Sequence, residues 1–187
     1  MELLRLETGF DHIQTINLLI LIMVSSGIFG FLYETLFYRI DLGYFVKRGS
    51  TYGPWLPIYL IGGGVYTLLI YRFKENPLLV FFLCMLVSGI MEYATGWFLY
   101  TFFKVRLWDY NTEIWNFGNI KGYVCLRSVL FFGVSGLLLI FVVIPLLVKV
   151  VNMSNTTALT IFCGILAGTF AADCVLYNIR HRLRDRK

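Results

Sequence analysis

The chain has 187 residues, of which 58% are hydrophobic, 18% aromatic and only 14% charged, with a formal net charge of +5 and a mean hydropathy of +0.74. A soluble domain of this length can bury a core, but its exterior needs about 25% charged residues, far more than this composition supplies. Lipid must therefore cover the outside, and the positive residues, which lie between and after apolar runs rather than on one basic face, exclude a nucleic-acid-binding domain.

The segment 1–14 is mixed in charge and lacks the basic start and small-residue cleavage site of a secretory signal, so the first apolar run is expected to stay in the membrane. Crossing about 30 Å of hydrocarbon takes about 20 largely apolar residues. Five runs meet that requirement, at about 16–37, 55–71, 77–103, 128–148 and 157–177. The second is short and interrupted by Gly62, Gly63 and Gly64. Each run must satisfy its own backbone in lipid, and none alternates like a barrel strand. The expected fold is an all-α integral membrane protein, a single domain over 1–187 with about five transmembrane helices and a basic tail over 178–187.

Orientation follows from the Lys and Arg residues of the short connections. With the N-terminus outside and the C-terminus inside, only Arg5, Arg72, Lys74 and Lys149 of the 16 fall on the outer side. The expected location is the plasma membrane, with membrane lipids as partners and no nucleic acid. Cys84, Cys125, Cys163 and Cys174 form no CxxC pair, and His12 and His181 sit near opposite ends. Neither a disulfide framework nor a metal site nor a cofactor is expected.

Spans one, three and five run in the same direction, and each carries one acid: Glu34, Glu92 and Asp173. A carboxylate at the bilayer centre costs about 2.5–3.5 kcal/mol on insertion scales, so such groups face a bundle interior or a wet cavity. Small residues accompany them at helical spacing: Gly27 and Gly30 with Glu34, Ser88 and Gly96 with Glu92, and Gly164 and Gly168 ahead of Asp173. The acidic faces are expected to be the packed faces. Glu34 can alternatively pair with Arg39, Lys47 or Arg48 at the inner interface, and Asp173 with Arg180. Glu92 has no cation within a turn and is the strongest candidate.

Two inner loops stand out. The stretch from Arg48 to Tyr59 carries Gly49, Gly53, Pro54 and Pro57, which forbid a continuous helix; its backbone is expected to be re-entrant or to lie along the membrane surface. As single residues Tyr52, Trp55 and Tyr59 fit an interfacial belt. The loop from Lys104 to Arg127 holds Trp108, Tyr110, Trp115, Phe117 and Tyr123, too many large rings for a solvated linker, and is expected to fold back onto the bundle. Acidic span, aromatic loop and return span thus occur twice. Parallel repeats of this kind occur in transporters, with sites at the repeat interface.

Gly30 with Glu34, Arg48-Gly49, Gly53-Pro54, Pro57-Ile58-Tyr59, Glu92-Tyr93, Trp108-Asp109-Tyr110, Asn116-Phe117, and Gly122 with Cys125-Leu126 follow one another in the order and spacing of a known family. From span one to the end of span four the chain resembles the ABC-transporter type IV (CmpB-like) family of multispanning bacterial membrane proteins. Where that family often has Ser after Trp-Asp-Tyr and Arg after the last glycine, this chain has Asn111 and Tyr123. The resemblance implies a permease-like component, and with no Walker A sequence here, energy coupling would come from a separate ATPase chain or another membrane subunit.

The expected site opens to the cytoplasm and is built from Glu34, Arg48, Gly49, Gly53, Pro54, Pro57, Tyr59, Glu92, Trp108, Asp109, Tyr110, Asn116 and Gly122, with Asp173 and Arg127 as weaker members. Two alternatives stay open. One is a membrane enzyme on a lipid or lipid-linked substrate, with Asp109 or Glu113 as base and Arg48 or Arg127 holding an anion. The other is a structural partner of a larger membrane complex.

Overall fold

The first long helix starts and stops where local chemistry dictates. The Asp11 side chain accepts from the Gln14 N–H at 2.7 Å while the Gln14 side chain accepts from the Asp11 N–H at 3.2 Å, closing a capping box. Gly43, at φ +79°, ends the helix in the left-handed region. In this computed structural model, which describes residues 2–184 of the backbone and side chains only to residue 180, the elements in chain order are α1 (Glu2–Thr8), α2 (His12–Leu42), α3 (Pro57–Leu69), a 3-10 turn (Tyr71–Phe73), α4 (Pro77–Phe103), α5 (Leu126–Leu138), a π turn (Leu139–Val143), α6 (Ile144–Met153) and α7 (Thr156–Arg184). The last three residues of the predicted basic tail, and the side chains of the four before them, lie outside the described residues.

Among the described residues four apolar helical segments are long enough to cross a membrane: α2, α4, the continuous run from α5 through the π turn to α6, and α7. The π turn has a local cause. Pro145 lacks an N–H and its ring crowds the carbonyl one turn before it, so the preceding residues widen. The second predicted span differs from the other four. Its helix, α3, has 13 residues and rises about 20 Å, against about 30 Å of hydrocarbon.

By contacts the chain divides into two units, residues 1–68 with 142–187 and residues 69–141. In the first unit, α2 packs against α6 and α7. Asn17, fully buried, donates to Thr160 Oγ1 at 2.8 Å, and the Cys163 thiol reaches the Asn17 carbonyl. The loop after α2 turns back along it. The Leu56 N–H donates to the Gly27 carbonyl at 3.0 Å, which lies about 22 Å of helix rise before Leu42. The loop therefore turns back along α2 as far as its middle rather than leading away from it. The return helix α3 then runs antiparallel to α2, with Leu60 against Gly27, Tyr59 over Gly30 and Gly63 against Ser26.

In the second unit, α4 and α5 pack along their lengths. Asn76 caps α4 by accepting from the Leu79 N–H at 3.1 Å, and Pro77 at the first turn removes a donor that has no helical partner. Small residues again mark close approach, with Gly96 under the Tyr123 ring and Gly133 against Phe81 and Met85.

The small residues of α7 behave differently from those of α2 and α4. A Cβ on Gly164 or Gly168 would meet nothing within 4 Å, so these positions are not on the packed face as the spacing predicted. α7 is attached through Asn17, Phe170 and Asp173 instead.

Gly30→Val is expected to destabilise the protein by about 1–3 kcal/mol, because the Tyr59 ring occupies the space its side chain needs. Gly62→Ala, on an open face of the same helix pair, should be neutral or stabilising by up to about 1 kcal/mol. Denaturation of the two variants in mixed micelles checks the contrast; equal losses would contradict it.

Candidate functional site

The predicted site residues fall into two sets, one in each unit. In the first, Glu34 and Tyr38 lie one turn apart on α2 and together receive Arg48 from the loop that follows it. Arg48 Nε donates to Glu34 Oε2 at 3.1 Å and its Nη2 to Tyr38 Oη at 3.0 Å. The guanidinium also lies 3.7 Å from the Tyr38 ring centroid, as a stacked cation. Both charged side chains are less than one-fifth exposed. Of the three cations that the sequence placed within reach of Glu34, Arg48 is the one seated on it.

Asp173 comes from α7 to the same loop. Its Oδ1 accepts from the Tyr52 N–H, and its Oδ2 from the Gly53 N–H and the Trp55 indole N–H, all at 2.7 Å. The Lys47 ammonium lies over the Tyr52 and Tyr177 rings at 4.8 and 5.6 Å. Thr51, fully buried, donates to the Trp55 carbonyl at 2.7 Å and holds the turn closed. Gly49 stands at φ +85° beside Leu56, Pro54 is exposed, and Pro57 opens α3.

In the second unit Glu92 is 4% exposed. The Tyr110 hydroxyl, from the long loop, reaches Glu92 Oε1, and the Ser128 hydroxyl reaches Oε2 at 2.7 Å. Next to them Arg127 Nη2 donates to Glu113 Oε2 at 2.7 Å, with side-chain exposures of 14% and 5%, and the guanidinium lies 5.5 Å from the Tyr110 ring centroid. The loop is closed by its own bonds. Trp108 Nε1 donates to the Tyr123 carbonyl at 2.9 Å, and the Tyr110 N–H to the Gly122 carbonyl at 3.1 Å. Gly122, at φ +76°, is required: a Cβ there would overlap Asn111, Asp109 and Arg106.

The loop folds back only in part. Tyr110 and Tyr123 are buried, while Trp115 and Phe117 project outward at 56% and 62% exposure, with the half-buried Asn116 between them. Asp109 pairs with Arg106 at 3.0 Å and Glu113 with Arg127. Both acids considered as general bases thus already hold an arginine. Asn111 and Tyr123, where the resemblance departs from its pattern, are both structural. Asn111 bridges Asp109 and Asn119, and Tyr123 packs on Gly96 and Tyr93. Among the described residues no three His, Cys, Asp or Glu side chains converge on a metal-sized point.

Tyr38, Thr51 and Ser128 were not singled out from the sequence. Tyr38 follows Glu34 by four residues, a helical spacing that marks a shared face. Ser128 sits in the first turn of α5, a usual place for a hydroxyl that bonds backbone, and nothing local marks Glu92 as its partner.

The model of the family described as Putative ABC-transporter type IV matches residues 20–177. The chain belongs to this family. The match includes both acid-and-loop sets and extends past the predicted resemblance into α7, as far as Tyr177, so it takes in Asp173. No curated protein and no solved structure matches the chain. Family membership and the four long apolar helices make this a membrane protein associated with ABC-type transport.

Removing one partner of the buried Glu113–Arg127 pair strands a charge, so Glu113→Ala is expected to cost about 3–5 kcal/mol. Arg106→Ala, which breaks a partly exposed pair and ring contacts to Tyr100 and Tyr123, should cost no more than about 1–2 kcal/mol. Unfolding titrations of the two variants compare them directly.

Proposed function

We propose that the protein is a permease-like subunit of an ABC-type transport system in the cell membrane, working with a separate ATPase chain. Its polar working parts are the two loop-capped acids, Glu34 with Arg48 and Glu92 with Tyr110 and Ser128. The carrying observation is that each unit seats an aromatic, glycine-bearing loop on a carboxylate of a long apolar helix. An acid in a membrane span is costly and is retained where it binds or moves something. The loops hold these acids by hydrogen bonds that a polar solute or a partner's side chain can replace.

The second crossing is read as composite. The re-entrant loop covers the inner half of the membrane and α3 the outer half, which accounts for a helix of only 13 residues. That reading keeps five crossings with the N-terminus outside, and the placement of Lys and Arg supports it. Both loops then lie toward the cytoplasm, where an ATPase would dock. Irregular backbone at membrane depth, held by half-length helices, is a recurrent feature of transporter sites.

One observation favours lipid handling as a second reading. The second unit carries an open apolar groove of about 610 Å³ between α4, α5 and the end of the long loop, with Gly89, Tyr93, Ile120 and Val129 among its walls. Turnover of a lipid by the purified chain with no partner present would decide for that reading.

A pull-down from the native membrane is expected to recover an ATPase with the chain. In proteoliposomes holding both, Glu92→Gln should lower uptake by about ten-fold or more, the equivalent of about 1.4 kcal/mol from one charged hydrogen bond. Unchanged uptake in a folded Glu92→Gln variant removes Glu92 from the mechanism.

A further inference from the structure

We propose that the turn from Thr51 to Trp55 is an anion-binding nest for a carboxylate or phosphate group, and that Asp173 is its built-in, exchangeable occupant. Two consecutive backbone N–H groups, of Tyr52 and Gly53, and the Trp55 indole N–H converge on the two oxygens of one carboxylate, each at 2.7 Å. Successive N–H groups aimed at one point form a concave anion site, independent of which anion fills it. The Lys47 ammonium adds a positive charge beside it, seated over the rings of Tyr52 and Tyr177.

The nest is shaped by bonds that do not involve Asp173. Thr51 ties the turn to the Trp55 carbonyl, Arg48 ties its start to Glu34, and the Leu56 N–H ties its end to Gly27. A cradle held in this way keeps its geometry when the carboxylate leaves, and preorganised donors of this kind bind anions well. Asp173, by contrast, is carried on a helix whose positions from 171 to 180 are largely exposed; its other holds on the loop are ring edges, Phe170 on Trp55 and Tyr177 on Tyr52, while the buried Leu159 and Cys163 and the Asn17 bond anchor the helix well toward its other end. An anion entering the nest therefore releases the inner half of α7 from the loop, and α7 returning expels the anion. This exchange stands apart from the transport reading, since it needs neither an ATPase nor Glu92.

The test uses the full chain in phosphatidylcholine nanodiscs, as wild type and Asp173→Ala. An occupied nest lowers apparent affinity by the fraction of time it stands vacant, so Asp173→Ala should bind inorganic phosphate or acetate about ten-fold or more tighter than wild type. Its thermal midpoint should rise with the anion while the wild-type midpoint hardly moves. Adding Trp55→Phe, which deletes one donor, should weaken that binding. Stabilisation by soluble phosphate or acetate assigns the site to free anions, and stabilisation only by phosphatidic acid in the disc assigns it to a lipid headgroup. A folded Asp173→Ala protein that responds to none of these overturns the proposal and leaves Asp173 a structural staple. Should Asp173→Ala fail to fold, wild type labelled with 5-fluorotryptophan is titrated with phosphate and with phosphatidic acid. Movement of the Trp55 fluorine resonance with either supports exchange, and no movement with both overturns it.

Discussion

The hydrogen bond from the Leu56 N–H to the Gly27 carbonyl stands for the constraint on which the rest of the first unit depends. Backbone polar groups at membrane depth have no water to turn to, and each one left unsatisfied costs several kcal/mol. A loop that turns back along an apolar helix therefore depends on partners that the protein supplies. This one is supplied by a helix carbonyl for Leu56, a buried threonine for the Trp55 carbonyl, and a carboxylate from α7 for Tyr52 and Gly53. Gly30 then follows as a necessity, since any side chain there would overlap the Tyr59 ring, and Gly27 leaves the room in which Leu60 approaches, a fit that a single added carbon would shift by only a few tenths of an ångström.

The acids answer to the same constraint from the other side. A carboxylate within an apolar helix is expensive unless donors meet it, and in both units the loop that follows the helix brings a donor to it, joined for Glu92 by Ser128 from the first turn of α5. Glu34 receives an arginine, which brings its own charge and is stacked on Tyr38. Glu92, more deeply buried, receives two hydroxyls, while the nearby arginine is taken by Glu113. The two units therefore share a scheme, an acid on a long helix seating the next loop, and differ in how the acid is satisfied. The correspondence of acidic span, aromatic loop and return helix that the sequence shows twice has this physical content, although few individual residues correspond.

Much of this was legible from the residues alone. Long apolar runs with no alternation demand helices in lipid, and the three acids stand out because nothing else charged lies within those runs. The prolines and glycines between Arg48 and Tyr59 forbid a helix, which left the loop either re-entrant or superficial. The return of the loop along α2 rests on Gly27, a contact of long sequence separation that leaves no local trace. For the same reason the hydroxyl of Ser128 and the nest around Asp173 were not foreseen in their roles. Helical spacing also misled where it was followed without a partner in view, as at Gly164 and Gly168, whose pattern matches that of Gly27 and Gly30 but whose surroundings are open. The count of crossings differs at α3, because the apolar run at 55–71 yields a helix of only 13 residues once Pro57 sets its start.

The central claim is that the loop after α2 returns to the middle of that helix. A paired-cysteine test in native membranes addresses it directly. An ideal Cβ at Gly27 lies 3.5 Å from the Cβ of Trp55, within the range a disulfide spans. With the four native cysteines replaced, Gly27→Cys combined with Trp55→Cys is predicted to cross-link readily under a membrane-permeant oxidant. The pair Gly27→Cys with Tyr44→Cys, at the far end of the loop, should not. A folded protein in which the first pair stays reduced, or in which both pairs react alike, would contradict a loop that returns along α2 and with it the account of how the acids and the nest are held.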